Sequence, residues 1–305
     1  MMAVVSRTGR TRPFGRFAAV GALGAAAAVL FGIARSVFRY GFDTAATLAV
    51  LAATTGTALA FDRLVQRRPL PRWLCRLLTR VCVLGLGAVV VLSAVGGVLL
   101  AATPGVADAE ARVRAQAVAH AVSDTDAPTP PKVAAALVAT EDARFRHNPG
   151  IDPVGVLRAL VEWARGHGGD GGGATIEQQL AKMLYTDGQR TRRDQLEQVA
   201  LAVKLAHAYP KSEVLRMYLS TAYFGQGYYG LDAAAHGYFG ESPAQLDWPR
   251  AALLAGLVQA PSAYDPLHHP ALARQRRAEV LGRLQAVGDL TPRQVKAFAA
   301  APLGV

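Results

Sequence analysis

Three apolar segments without a charged residue dominate the first third of the chain. They cover residues 17–34, 44–61 and 81–103. A helix needs about 20 apolar residues to cross a bilayer, and the third segment has that length while the first two approach it. We therefore predict three transmembrane helices in a membrane anchor over residues 1–103. The alternative for the first segment is a signal peptide, because basic residues precede it.

The distribution of arginine sets the expected orientation of these segments. Four arginines precede the first segment, and six lie between the second and the third: Arg63, Arg67, Arg68, Arg72, Arg76 and Arg80. Basic residues accumulate in cytoplasmic loops. We therefore expect a multi-pass protein of the plasma membrane in which everything after Thr103 is extracytoplasmic. The arginines flank apolar segments instead of forming an aromatic-interleaved groove, so nucleic acid is not an expected partner.

Cysteine and histidine usage limits the kinds of site in the chain. The two cysteines, Cys75 and Cys82, both precede the predicted outer region, which is therefore expected to contain no disulfide. The seven histidines show no pair at metal-ligand spacing on one helix and the chain has no CxxC motif. A structural zinc site is therefore not expected.

The outer region changes in composition along its length. Residues 104–131 are rich in alanine and charge and end in the proline-rich "SDTDAPTPPK", which is typical of a stalk helix and a linker. From residue 132 to residue 305 helical periodicity dominates. We therefore predict a mainly α extracytoplasmic domain over 132–305.

A pair of acids, Glu141 and Asp142, follows the apolar run "VAAALVA" and precedes a turn that contains Asn148 and Gly150. Considered alone, an acidic pair on a helix is more often solvated or a cap than functional.

A glycine-rich stretch, residues 166–173, precedes a helix with an informative polar face. Thr175 and Gln178 form a predicted capping box, and Gln179 and Lys182 continue the polar side, opposite an apolar side of Ile176, Leu180, Met183 and Leu184. Such a polar stripe is either solvated surface or the wall of a cleft for a sugar and an anion. The stretch lacks the Gly-Lys-Ser/Thr ending of a phosphate-binding P-loop.

These motifs, in this order, resemble those of the peptidoglycan glycosyltransferase family (glycosyltransferase family 51-like), lysozyme-like enzymes that polymerise lipid II. The resemblance covers roughly Val133 to Pro266 and is carried by "ATEDARF" with Gly150 and Asp152, "GGATIEQQLAK", "KSEVLRMYLSTAYFGQGYYG", "AAAHGYFG" and "AALLAGLVQAPSAYDP". It implies a mainly α, lysozyme-like domain attached to transmembrane helices. The absence of a transpeptidase domain after Val305 favours the monofunctional type.

The chain departs from the family pattern at several motif positions. At these positions the family has a histidine, a serine, a threonine and an asparagine. This chain has Asn148, Ala174, Glu177 and Ser220 in their places. These changes indicate a divergent branch. They also motivate one alternative, a catalytically silent scaffold that binds lipid II, and the shared fold class motivates another, a lysozyme-like lytic enzyme.

The resemblance implies a reaction in which the 4-hydroxyl of lipid II attacks the anomeric carbon of a growing chain and releases undecaprenyl diphosphate. Glu141 is then the expected general base, with Asp142 as an orienting residue. The remaining expected substrate contacts are cations for the diphosphate, Lys182, Arg193 and Lys204, and hydrogen-bonding residues, Thr175, Gln178 and Gln179. A divalent cation such as magnesium is a further candidate for the diphosphate, although no dedicated metal ligands are evident. The expected partners are lipid II, the glycan strand, the membrane and other cell-wall synthesis proteins.

Two residues are candidates for the second catalytic position of the family. Family spacing counted back from Lys211 selects Gln198, which would leave no carboxylate there. Helical geometry selects Glu197, because Arg193, Glu197 and Lys204 fall on one face. The alternative for that face is an ordinary surface ion pair between Arg193 and Glu197.

Overall fold

The computed structural model describes residues 73, 80, 94–122, 127–152, 154–155, 174–186 and 191–305. The chain divides into two compact units, Met1–Ala102 and Thr103–Val305. The first two predicted spans and residues 81–93 of the third lie outside the described residues, and residues 94–102 are helical. Within the described residues, no helix combines the length and the apolar character that a membrane crossing requires.

The second unit is mainly helical in its described part, as the sequence predicts. Its helices are α1 (Ala109–Ala119), α2 (Pro131–Glu141), α3 (Ile176–Tyr185), α4 (Arg192–Ala208), α5 (Lys211–Thr221), α6 (Leu231–Phe239), α7 (Trp248–Leu257), α8 (Pro270–Ala286) and α9 (Pro292–Ala300), with a 3₁₀ turn at Pro243–Gln245.

Local sequence signals account for many of the helix ends. Threonines at 175, 191 and 291 each accept a hydrogen bond from the backbone N–H three residues later, and the residue at that third position returns a bond, which completes a capping box. α6 ends at Gly240, whose φ of 68° is in the left-handed region. The capping box predicted at Thr175 and Gln178 is confirmed.

α1 corrects the prediction of a stalk before residue 132. Its residues Ala109, Val113 and Ala117 are buried, and Arg112 and Gln116 donate to the carbonyl oxygens of Leu184 (3.1 Å) and Met183 (2.8 Å) at the end of α3. The buried residues recur every four positions, so they form one apolar stripe on the helix. The folded unit therefore begins at Thr103 and not near residue 132.

The core is organised around α7, in which every residue from Ala251 to Leu257 is buried. α7 packs against α2 and α8, while α3 packs against α4 and α5. The C-terminal end of α2 lies beside α3, so the two groups of helices meet at Glu141. This junction is the candidate site.

Candidate active site

Glu141 is the last residue of α2, and each of its carboxylate oxygens faces a different helix. Oε2 accepts a hydrogen bond of 2.9 Å from Nε2 of Gln179 on α3. Oε1 lies 3.8 Å from Nη2 of Arg276 on α8, and both side chains of this pair are 12% exposed. Glu141 is thus held at the edge of the core, with one oxygen engaged in a hydrogen bond and the other opposite a cation.

Gln179 is bound at both ends of its side-chain amide. Its Oε1 accepts a hydrogen bond of 2.7 Å from the hydroxyl of Tyr218 on α5, while its Nε2 donates to Glu141. Tyr218 is 1% exposed, and burial, assisted by the charge of Glu141, raises the pKa of its hydroxyl well above the ordinary value. Gln179, which was expected to contact substrate, forms a bridge between Tyr218 and Glu141 in the structure.

Arg276 is held by several contacts besides Glu141. Its Nε donates to the carbonyl oxygen of Gly256 (3.3 Å) and its Nη1 to Glu279 (3.1 Å), and its guanidinium lies 5.6 Å from the ring centre of Tyr264. Sequence reasoning missed this residue. It lies far from Glu141 in the chain and is one of several arginines on α8, and only the packing of α8 against α2 distinguishes it.

Asp142 is buried. Its Oδ2 accepts a hydrogen bond of 2.7 Å from Asn148, and the backbone N–H groups of Ile176 and Arg144 also donate to it. Burial nevertheless raises the pKa of Asp142, because desolvation of the charge outweighs these bonds. The structure places Asp142 as a connection between the turn after α2 and the start of α3.

Lys211 joins two of the positions at which the chain departs from the family pattern. Its ammonium pairs with Glu177 and donates to the carbonyl and side-chain oxygens of Asn148 at 2.8 and 3.1 Å. Glu177 is fully buried, and its Oε2 has no hydrogen-bond partner among the described residues. Burial raises the pKa of Glu177, and the bond from Lys211 opposes that rise.

Thr175 and Gln178 also make internal contacts. The Thr175 hydroxyl donates to the carbonyl oxygen of Gly150 at 2.7 Å, and Oε1 of Gln178 accepts from the Thr175 N–H in the capping box. Gly150 has a φ of 94°, and a Cβ there would lie 2.4 Å from the carbonyl oxygen of Ala202. Lys182, also expected in the site, is half-buried on α3.

The four candidate residues on α4 separate into different environments. Nε2 of Gln198 donates to the Thr186 hydroxyl at 2.8 Å, at the end of α3. The ammonium of Lys204 donates to the carbonyl oxygens of Thr103 and Pro104 at 2.8 and 2.9 Å, and burial lowers its pKa. This differs from the expectation that Lys204 faces the substrate.

Arg193 is exposed and Glu197 is half-buried. The ion pairs between described side chains include Arg112 with Asp108 and Arg216 with Glu213, but not Arg193 with Glu197. The surface ion pair that was the alternative explanation for these two residues is therefore not formed. The glycine-rich stretch 166–173 lies outside the described residues. In the part of the chain that the structure describes, no three His, Cys, Asp or Glu side chains form a group suited to a metal ion.

Comparison with known proteins gives a family model and a set of curated relatives. The model described as Transglycosylase matches residues 110–285. Penicillin-binding protein 1A of Aquifex aeolicus is 42% identical over 176 residues, 58% of this chain and 24% of the relative. Penicillin-binding protein 1A of Escherichia coli is 40% identical over 54% of this chain and 19% of the relative. Penicillin-binding protein 1F of Bacillus subtilis is 36% identical over 58% and 25%. The match therefore spans a quarter or less of the length of these relatives.

Proposed function

The chain belongs to the transglycosylase family, and from this premise we propose that it is a peptidoglycan glycosyltransferase, which polymerises lipid II into β-1,4-linked glycan strands and releases undecaprenyl diphosphate. The observation that carries the proposal is the setting of Glu141. Its side chain is 12% exposed, and its carboxylate is fixed by one hydrogen bond and faced by one cation. A general base must be held within hydrogen-bond reach of the proton that it removes.

The two oxygens of Glu141 have different roles in this proposal. Oε2 is engaged by Gln179, so Oε1 takes the proton from the 4-hydroxyl of lipid II. As that proton leaves, the hydroxyl oxygen forms a bond to the anomeric carbon of the growing chain. The bond from this carbon to the diphosphate breaks, and the diphosphate departs with the electron pair.

Cations beside the departing diphosphate stabilise the charge that develops on it. Lys182 on α3 and Arg193 on α4 are the candidates, because they precede and follow the segment that joins these two packed helices. Glu197, one turn from Arg193, orients these cations in the proposal. Lys204 is not included, because two of its three N–H donors are used on backbone carbonyls.

The proposed enzyme is anchored in the plasma membrane by three spans, with its catalytic domain outside. The uncharged apolar segments and the arginine-rich stretch between the second and third of them support this arrangement. Lipid II is itself a membrane lipid, so an anchored domain encounters its substrate at the membrane surface.

The test is incubation of the full-length, detergent-solubilised protein with labelled lipid II, followed by gel separation of glycan strands and their digestion by a muramidase. Glu141→Gln should lower the rate of polymerisation at least about 100-fold, because it removes the base and keeps the shape. Glu241→Gln is the control, since Glu241 pairs with Arg250 and should leave the rate unchanged. Equal rates for all three proteins would refute the general-base role.

Two other outcomes would replace the proposal. Binding of lipid II without strands would indicate the silent scaffold, which the departures at Asn148 and Glu177 motivate. Cleavage of preformed strands without polymerisation would indicate a lytic enzyme.

A further inference from the structure

The bridge from Tyr218 through Gln179 to Glu141 gives each of its members a defined orientation. A carboxylate accepts hydrogen bonds but does not donate them, so the amide of Gln179 must turn its NH₂ group towards Glu141. The amide oxygen then faces Tyr218, whose hydroxyl donates to it at 2.7 Å. If the amide were reversed, its oxygen would face the carboxylate and the two acceptors would repel each other.

We propose that Tyr218 is a positioning residue, which acts through Gln179 to keep one N–H donor on Oε2 of Glu141 and so leaves Oε1 as the oxygen that receives the proton. This inference rests on the proposed function. Tyr218 itself is 1% exposed and does not touch substrate. Its hydroxyl remains a donor throughout the working pH range, since burial raises its pKa well above the ordinary value.

A second buried tyrosine, Tyr238, makes a hydrogen bond of a different kind. The hydroxyl of Tyr238 donates to the backbone carbonyl oxygen of Phe224 at 3.0 Å, also in the buried core. That bond satisfies a polar group without reaching a functional side chain. Tyr238 therefore provides a matched control, because Tyr→Phe at either position removes one buried hydroxyl and one hydrogen bond.

The experiment compares Tyr218→Phe and Tyr238→Phe with the wild type in the lipid II polymerisation assay. Tyr218→Phe should lower kcat roughly tenfold, the equivalent of one hydrogen bond, and leave KM for lipid II unchanged. Tyr238→Phe should keep kcat within about twofold of the wild type, with a similar decrease in Tm. An unchanged kcat in Tyr218→Phe, or an equal decrease in both variants, would overturn the proposal.

A double-mutant cycle separates action through Gln179 from a direct effect of Tyr218. In the Gln179→Met background, Tyr218→Phe should produce no further decrease in kcat, because the bridge is already absent. Additive decreases would overturn the proposal.

A failure of the wild type to polymerise lipid II would count against the proposed function and not against this positioning role. Crystal structures of the three proteins then decide it. The proposal is supported if the carboxylate of Glu141 has the same orientation in the wild type and in Tyr238→Phe but a different orientation in Tyr218→Phe. The same orientation in all three overturns it.

Discussion

Arg276 Nη2 lies 3.8 Å from Oε1 of Glu141, the carboxylate oxygen to which no described residue donates a hydrogen bond. The arginine is held there by Gly256 and Glu279, so its charge does not depend on Glu141 for its position. A fixed positive charge beside Oε1 attracts the negative carboxylate and restricts its movement. Arg276 therefore supports the proposed base on the side opposite Gln179.

Arg276→Met should lower polymerisation about tenfold, or 1.4 kcal/mol in activation free energy, because it removes the charge and keeps most of the apolar stem. Arg276→Lys should retain more activity than Arg276→Met. The measurement is kcat with labelled lipid II.

Arg250→Met is the control for this change. Arg250 pairs with both carboxylate oxygens of Glu241 at 3.0 Å, so its loss removes an ion pair of the domain without touching Glu141. A decrease in kcat as large as that of Arg276→Met would show that the effect is one of general stability.

Glu177 should make the stability of the domain depend on pH. Burial raises the pKa of Glu177 above its ordinary value of 4.5. The folded state therefore binds this proton more tightly than the unfolded state does. Protonation of Glu177 therefore stabilises the folded state fully at pH values below the pKa of this residue in the unfolded chain. That stabilisation is lost as pH rises through the pKa of Glu177 in the folded state.

Glu177→Gln removes this titration and keeps the shape of the side chain. The measurement is the free energy of unfolding of both proteins, by denaturant unfolding at a series of pH values. The value for the wild type minus the value for the variant should fall as pH rises above about 4.5. A difference that grows with pH would mean that the ion pair with Lys211 outweighs the effect of burial.

The neighbouring residues Glu197 and Gln198 should respond differently to substitution. Glu197→Gln should lower turnover substantially, because this half-buried carboxylate is proposed to orient the cations near the diphosphate. Gln198→Ala should lower the free energy of unfolding by about 1 kcal/mol, through loss of the bond to Thr186, with little change in turnover. If Gln198→Ala lowers turnover more than Glu197→Gln does, the assignment from family spacing is right and the assignment from helix geometry is wrong.

The proposed topology predicts opposite labelling at two positions. In a variant without Cys75 and Cys82, a cysteine in place of His120, which is exposed, should react with an impermeant reagent added outside the cell. A cysteine in place of Gln66 should be protected, because the proposal puts this arginine-rich loop on the cytoplasmic side. Labelling at both positions would refute three spans.

Short-range patterns predicted several features of the domain. The helical periodicity after residue 132, the capping box at Thr175 and the apolar side of α3 all depend on neighbours within about one or two turns of helix. Helix α1 carried a readable signal too, since Ala109, Val113 and Ala117 repeat every four residues. That signal was missed because small alanines beside many charges resemble a solvated stalk.

Contacts between distant helices were not predictable in this way. Tyr218 and Arg276 reach Glu141 only because α5 and α8 pack beside α3 and α2. The polar face of α3 gave no indication that Gln179 contacts another protein side chain. A sequence pattern distinguishes the polar face of a helix from its apolar face, but it does not identify the residues that pack against either face. The burial of Glu177 had no local signal either, since its cation lies on α5.

The single ammonium of Lys211 also has an evolutionary consequence. It touches Asn148 and Glu177 at once, so the residue acceptable at one of these positions depends on the residue at the other. A carboxylate at 177 without the lysine would be a buried charge with no counterion, which is costly. Among homologues, changes at 148, 177 and 211 should therefore be inherited as a linked set, and a reversion at one position alone should be tolerated less well than the joint reversion.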